Sequence, residues 1–234
     1  MDGLSDRGSI PLASTKKDIA FRLDCCVFYL YVLNDTKFII GLCNYMPRGI
    51  IINGASGTGK TTLAKELAKL LDFQHMDLDD YYYHWNTEIP FSSSPSQEEI
   101  RERVLNDIAT QGRFVMSGTI GSALWDLANP LFDLAVLLMV PNEIRMERLR
   151  TREFNRYGKR ILTGGNMYEN SQKFLNESKL YETEVHPNIP VTLERHEKWA
   201  EELLCPVFRL DGTNPILENA AYLAEQYRLL NLAE

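Results

Sequence analysis

Positive charge is the scarcer sign in this 234-residue chain: 25 Lys+Arg stand against 32 Asp+Glu, a net charge of −7. A protein that grips nucleic acid by neutralising phosphates carries the opposite excess, so no nucleic-acid partner is expected. Cysteine is sparse too. Cys25 and Cys26 are adjacent, while Cys43 and Cys205 stand alone, a spacing that fits neither a disulfide framework nor a metal site and reads as reduced thiols. Long apolar runs are missing: Cys25 to Leu33 is too short to cross a bilayer, and Asn34, Asp35 and Lys37 break it before Phe38-Ile39-Ile40. The first residues mix Asp2, Asp6, Arg7, Lys16, Lys17 and Asp18 instead of opening with a basic segment. We therefore expect no membrane partner and a cytoplasmic location. What is present, 44% apolar and 24% charged residues, describes a soluble globular domain able to bury a core.

The first 45 residues stand apart. They hold five acids and five bases and show no sustained period of 3.6 or 2. From Met46 the pattern is regular. Gly49-Ile50-Ile51-Ile52-Asn53 reads as a buried parallel strand, then come a glycine-rich turn and a helix over Lys60 to Leu71. Further strands are expected at Phe73–Met76, Phe114–Met116, Leu134–Val140 and Pro206–Leu210. The helices between them start at Ser96, with Glu99 as its capping partner, at Pro141-Asn142 and at Asn214-Pro215. Alternation of this kind gives an α/β fold, a five-stranded mostly parallel sheet sandwiched by helices. Residues 150–190 lack a strand signal and read as an insert over one edge.

Gly54-Ala55-Ser56-Gly57-Thr58-Gly59-Lys60-Thr61, followed by Thr62, fits G-x-x-x-x-G-K-[ST] between a strand and a helix. Glycines let backbone N–H groups wrap a phosphate, and the helix N-terminus beneath adds a positive dipole end. Lys60 can reach the terminal phosphates and the Thr61 hydroxyl can ligate Mg2+, which makes ATP and Mg2+ the expected cofactors and the fold that of a P-loop NTPase.

After the second strand, Asp77, Asp79 and Asp80 lie where ligands bind in parallel sheets. Asp77 and Asp79 would point the same way if the strand persisted. One carboxylate would hold metal and another orient the attacking group, or the trio is a solvated turn that caps a helix; which of the three does which stays open. The aromatic cluster after Asp80 reads as part acceptor pocket and part core, and the sequence does not assign Tyr82 and Trp85 between the two. Arg145, Arg148 and Arg152 share a helix face, and Arg150, Arg156, Lys159 and Arg160 extend the basic run against Glu143, Glu147 and Glu153. Such a run is a solvated face or a flap that closes on phosphates, with Tyr157-Gly158-Lys159 as its tip and Gly164-Gly165 as a hinge. Arg101 and Arg103 are candidates for an acceptor phosphate, or exposed helix arginines. His196 reads as surface structure in preference to a catalytic base.

These residues carry a family resemblance. Residues 46–234 resemble the P-loop small-molecule kinases related to adenylate, shikimate, gluconate and uridine kinases. The resemblance implies that Lys60, Asp77, Asp79, Arg148, Arg152 and Arg156 are catalytic, and that Thr61 and Asp77 hold the metal. It also implies that residues 54–62 with Asp211 and Gly212 bind the nucleotide, the latter two as the loop against adenine. Asp79–Phe91 and Arg156–Tyr168 are similar to stretches of a bacterial group related to adenylate kinase. One departure is the third strand, which ends in Ser117-Gly118 without the usual metal-site aspartate, so the metal falls to Asp77 or Asp79, or its role is weaker than usual.

The expected protein is a kinase passing the γ-phosphoryl of ATP to a nucleoside, nucleotide or hydroxy acid, monomeric or weakly dimeric, with a lid at about 150–170. The rival is a nucleotide-dependent regulatory module with slow ATPase activity. Residues 1–45 are expected to be an N-terminal extension: Gly8-Ser9-Ile10-Pro11 back-translates to GGT-TCG-ATT-CCC, a transfer-RNA T-arm sequence, as an over-extended gene start would give. The alternative is a genuine N-terminal arm.

Overall fold

Three consecutive β-branched isoleucines between Gly49 and Asn53 suit a strand covered on both faces. In the computed structural model Gly49–Asn53 is that strand, buried along its whole length. The structure describes residues 19–23, 26–33, 36–42, 49–127, 131–183 and 191–232, so the transfer-RNA reading of Gly8–Pro11 lies outside the described residues. The chain divides into two compact units, residues 1–46 and 47–234.

In the first unit Ile19–Leu23 (β1), Cys26–Leu33 (β2) and Thr36–Leu42 (β3) form an antiparallel sheet in the order β1-β2-β3. The sequence reading has no strands there. Cys26–Leu33 is apolar at odd and even positions alike, so the period-2 signal of a half-buried strand never appears.

The second unit holds all five expected strands: Gly49–Asn53 (β4), Gln74–Asp77 (β5), Phe114–Ser117 (β6), Phe132–Met139 (β7) and Val207–Asp211 (β8). They pair in parallel in the order β5-β6-β4-β7-β8. The helices are Lys60–Leu71 (α1), Leu78–Tyr82 (α2), Gln97–Gln111 (α3), Asn142–Tyr157 (α4), Tyr168–Lys179 (α5), Leu193–Glu202 (α6) and Ile216–Leu232 (α7). Leu63 and Leu67 of α1 and Leu223 and Tyr227 of α7 pack with Ile50, Ile52, Val115, Val136 and Leu138 in one core. Each such burial contributes about 1.5–3 kcal/mol. Ser96 caps α3 by accepting the Glu99 N–H at 3.1 Å, and Ile100, Val104 and Ile108 form its buried face as expected.

The insert is helical at both ends. α4 runs on to Tyr157, a 3-10 turn covers Gly158–Ile161, and α5 follows. Gly165 is required by close approach, since a Cβ there would come within 2.2 Å of the Arg160 carbonyl. Among the described residues no helix is long and apolar enough to cross a membrane.

Candidate active site

The phosphate loop leaves β4 at Gly54, whose φ of +147° and whose approach to the Leu138 carbonyl, 2.4 Å from where a Cβ would sit, admit only glycine. Thr58 closes the loop with its hydroxyl on the Ala55 carbonyl at 2.9 Å, and α1 then begins at Lys60 behind Gly59 with no side-chain cap. The first-turn amides are thus left for a ligand. Lys60 Nζ donates to the Ala55 carbonyl at 2.8 Å. Burial lowers its pKa to about 8, although Asp79 and Asp77 pull the other way. Thr62 is exposed on the outer side of α1.

Thr61 Oγ1 donates to Asp77 Oδ2 at 3.1 Å, joining the phosphate loop to the end of β5. Asp77 also accepts the Asp79 N–H on Oδ1 at 3.2 Å and caps α2. The strand therefore does not persist to Asp79 as the same-side expectation required; the chain turns into α2 at Leu78. The capping turn and the phosphate-side carboxylate are one and the same residue. Asp79 stays open to solvent, yet the cleft around it and the Asp77 charge raise its carboxyl above the ordinary range, against Lys60 and Arg152. Among the described residues no three His, Cys, Asp or Glu side chains cluster as a metal cage. Mg2+ takes one or two protein oxygens and completes its shell from phosphates and water, so the hard-oxygen pair of Thr61 and Asp77 suits it.

Arg148, Arg152 and Arg156 line an open groove of about 720 Å3 with Glu147, Thr151 and Asn155. Arg148 reaches over the phosphate loop to the Gly57 carbonyl at 3.4 Å and the Gly212 carbonyl at 3.5 Å. Arg152 lies within electrostatic reach of Lys60 and Asp79. Arg156 sits one turn further on, over the Tyr157 ring at 5.9 Å. Arg145 does not join them. It is fully buried and donates to Glu182 at 2.6 and 2.7 Å and to the Ser56 carbonyl at 3.2 Å. On the far side of the loop, Asp211 accepts from the Thr213 N–H at 2.8 Å and the Gly212 N–H donates to the Met139 carbonyl at 2.7 Å.

The other candidate residues fall as follows, and one expectation, a surface position for His196, is corrected. Arg101 pairs with Asp126 at 2.7 Å, and Arg103 donates to the Asp80 carbonyl at 3.0 Å while its guanidinium lies over Tyr81, so both are engaged within the protein. Tyr82 accepts the Gly121 N–H at 2.8 Å, and Trp85 lies largely open at 49% exposure against Phe91. His196 is buried at 2% exposure, bonded to Thr119 and Tyr181. The missed signal was helical: His196 shares the buried face of α6 with Trp199 and Ala200. Ser117, in place of the usual aspartate, lies 3.0 Å from His75 Nε2.

A 2-3-1-4-5 order of parallel strands, with a phosphate loop on the central one and a carboxylate at the end of its second neighbour, defines a kinase-like P-loop α/β protein. More particularly, the chain belongs to the AAA domain family, whose model matches residues 50–176. It is 38% identical over 168 residues to the uncharacterized protein YqaC of Bacillus subtilis (strain 168), covering 71% of this chain and 89% of that protein. It is 30% identical over 114 residues to a cytidylate kinase of Haloarcula marismortui, 44% of this chain and 58% of that one. A putative kinase from Chloroflexus aurantiacus shares the fold with a TM-score of 0.51 at 16% identity, over 79% of this chain and 98% of its own. The motif-based resemblance to P-loop small-molecule kinases of unassigned substrate thus stands.

Proposed function

We propose that the chain transfers the γ-phosphoryl group of ATP to a small acceptor, and that Asp79 receives the acceptor's proton. The observation that carries this is the convergence of Lys60, Thr61, Asp77, Asp79 and Arg152 at the carboxyl end of the sheet. A phosphoryl transfer needs positioned charge more than covalent chemistry. Lys60 leaves the Ala55 carbonyl for the phosphates, and Arg148 and Arg152 face the same groove from α4. Thr61 and Asp77 would hold Mg2+, which neutralises charge on the phosphate oxygens when bound. The acceptor hydroxyl or phosphate oxygen attacks phosphorus, the bond to the ADP leaving group breaks, and any acceptor proton passes to the Asp79 carboxylate.

A raised pKa suits that last role, because a base nearer the working pH holds a proton better than an ordinary aspartate. A nucleoside or nucleotide acceptor is favoured by the exposed aromatic edge after α2: Trp85 and Tyr83 meet Phe91 edge-on at 5.0 and 4.9 Å, and Phe91 is held at φ +62°. Such rings stack on a base. We also propose that residues 46–234 are the working domain, with the lid at about 150–170, and that residues 1–45 are an extension to it.

The test is ADP release screened against nucleosides, nucleoside monophosphates and small hydroxy acids. One class is expected to stimulate it. Slow turnover that no compound raises above the Lys60→Ala background would replace this reading with the regulatory one.

A further inference from the structure

His196 takes no part in the transfer above, yet both of its ring nitrogens are engaged. The Tyr181 hydroxyl lies 2.8 Å from Nδ1 and the Thr119 hydroxyl 3.1 Å from Nε2. Thr119 Oγ1 is in turn 3.4 Å from Asn53 Oδ1, which accepts the Gly54 N–H at 2.7 Å. Asn53 closes β4 and Gly54 opens the phosphate loop, so the chain of bonds runs from the turn after α5, through α6 and the end of β6, into the first amide of the loop.

Chemistry fixes its direction. A neutral imidazole has one donor and one acceptor nitrogen, and a side-chain amide oxygen only accepts. The Thr119 proton therefore goes to Asn53, the Thr119 oxygen accepts from His196 Nε2–H, and the bare Nδ1 accepts from Tyr181. Burial, with the Lys60 charge adding to it, pushes His196 down to about 3 and keeps the ring neutral. Burial also raises the Tyr181 hydroxyl, which stays a donor. A second thread leaves the same turn: Arg145 lies over the Tyr181 ring at 5.0 Å, binds Glu182, and donates to the Ser56 carbonyl at 3.2 Å. Tyr181 and Glu182, neighbours in sequence, thus reach two points of the phosphate loop.

We propose that Tyr181, His196 and Thr119 are positioning residues for that loop, a directed hydrogen-bond chain that fixes the Gly54 amide through Asn53. Its consequence for affinity rests on the nucleotide-binding reading; the direction of the bonds does not.

Two measurements test it. In ligand-free protein with 15N-labelled histidine rings, long-range proton–nitrogen correlation should show one ring in the neutral Nε2–H tautomer at both pH 5 and pH 8, absent from the His196→Gln spectrum. The Nδ1–H tautomer, or an imidazolium at pH 5, overturns the chain. Calorimetric titration with MgADP should show Thr119→Val and Tyr181→Phe weaker by about 3- to 10-fold, the usual worth of one hydrogen bond. Combining them should add little, because both cut the same chain. His196→Ala should lose a similar factor, and His196→Gln, which keeps an N–H towards Thr119, should recover most of it. Variants that melt lower but bind MgADP as the wild type does show a merely structural cluster and overturn the proposal. A wild type with the Nε2–H tautomer and no MgADP binding supports the chain and overturns the nucleotide reading, so the two failures separate.

Discussion

The Thr61 hydroxyl and the Asp77 carboxylate meet at 3.1 Å, and this contact joins the first turn of α1 to the end of β5. It makes one oxygen-lined corner out of two segments sixteen residues apart. Asp77→Asn keeps the shape and the α2 cap but removes the charge. It should weaken MgATP binding by about 10- to 100-fold, in line with the loss of a charge-assisted contact, and leave binding of ATP in excess chelator nearly unchanged. Titration with and without Mg2+ checks both halves.

Lys60 gives the pH dependence its alkaline side. Its pKa is lowered to about 8, so the free protein loses the positive charge as pH rises through that value. Phosphates favour the charged form, so the pKa rises on binding and nucleotide binding near pH 8 takes up a proton. The expected result is calorimetric proton uptake, read by comparing buffers of different ionisation heat. It should be absent in Lys60→Arg, whose guanidinium stays charged throughout.

His196 contributes to acid stability. Its folded pKa of about 3 lies below the ordinary 6.5, so the unfolded chain takes the proton first as pH falls. Stability is then lost between about pH 6.5 and 3 at up to ~1.4 kcal/mol per pH unit from this group alone. Urea unfolding across that range should show a flatter acid limb for His196→Gln than for the wild type.

Glu182 balances Arg145, whose side chain has no exposure at all. Glu182→Gln removes the counter-charge and should cost about 3 kcal/mol in urea unfolding, the scale for stranding a buried charge. Asp126→Asn at the partly exposed Arg101–Asp126 pair should cost no more than about 1 kcal/mol.

The phosphate-loop unit was legible because its signals are local. A buried β-branched strand, a glycine turn and the Leu63–Leu67 repeat sit next to one another, and all five strands of the parallel sheet follow the same logic. Asp77 and Asp79 were legible as a pair, but their geometry was not: the strand stops at Asp77 because that side chain caps α2, a choice made by three residues of local competition. The arginines show the limit most plainly. Arg145 and Arg148 share a helical face in sequence, yet one is sealed beneath Glu182 and Tyr181 while the other stays open above Gly57. Only the position of the turn after α5, a long-range fact, separates them. The Thr119–His196 contact spans 77 residues and has no sequence pattern of its own. The strands of residues 19–42 escaped for a different reason, since a continuous apolar run does not by itself separate a strand from a buried helix, and no phosphate-loop motif stands beside this one to decide it.

Asp79→Asn tests the central claim most directly, in a protein whose stimulating acceptor has been identified by the screen. If Asp79 takes the acceptor proton, acceptor-dependent ADP release should fall by at least about 100-fold, the lower end for losing a general base. MgATP affinity should stay within about threefold, because the carboxylate lost is not the one bound to Thr61. Turnover that survives the substitution, or that falls only in step with MgATP affinity, would contradict the account.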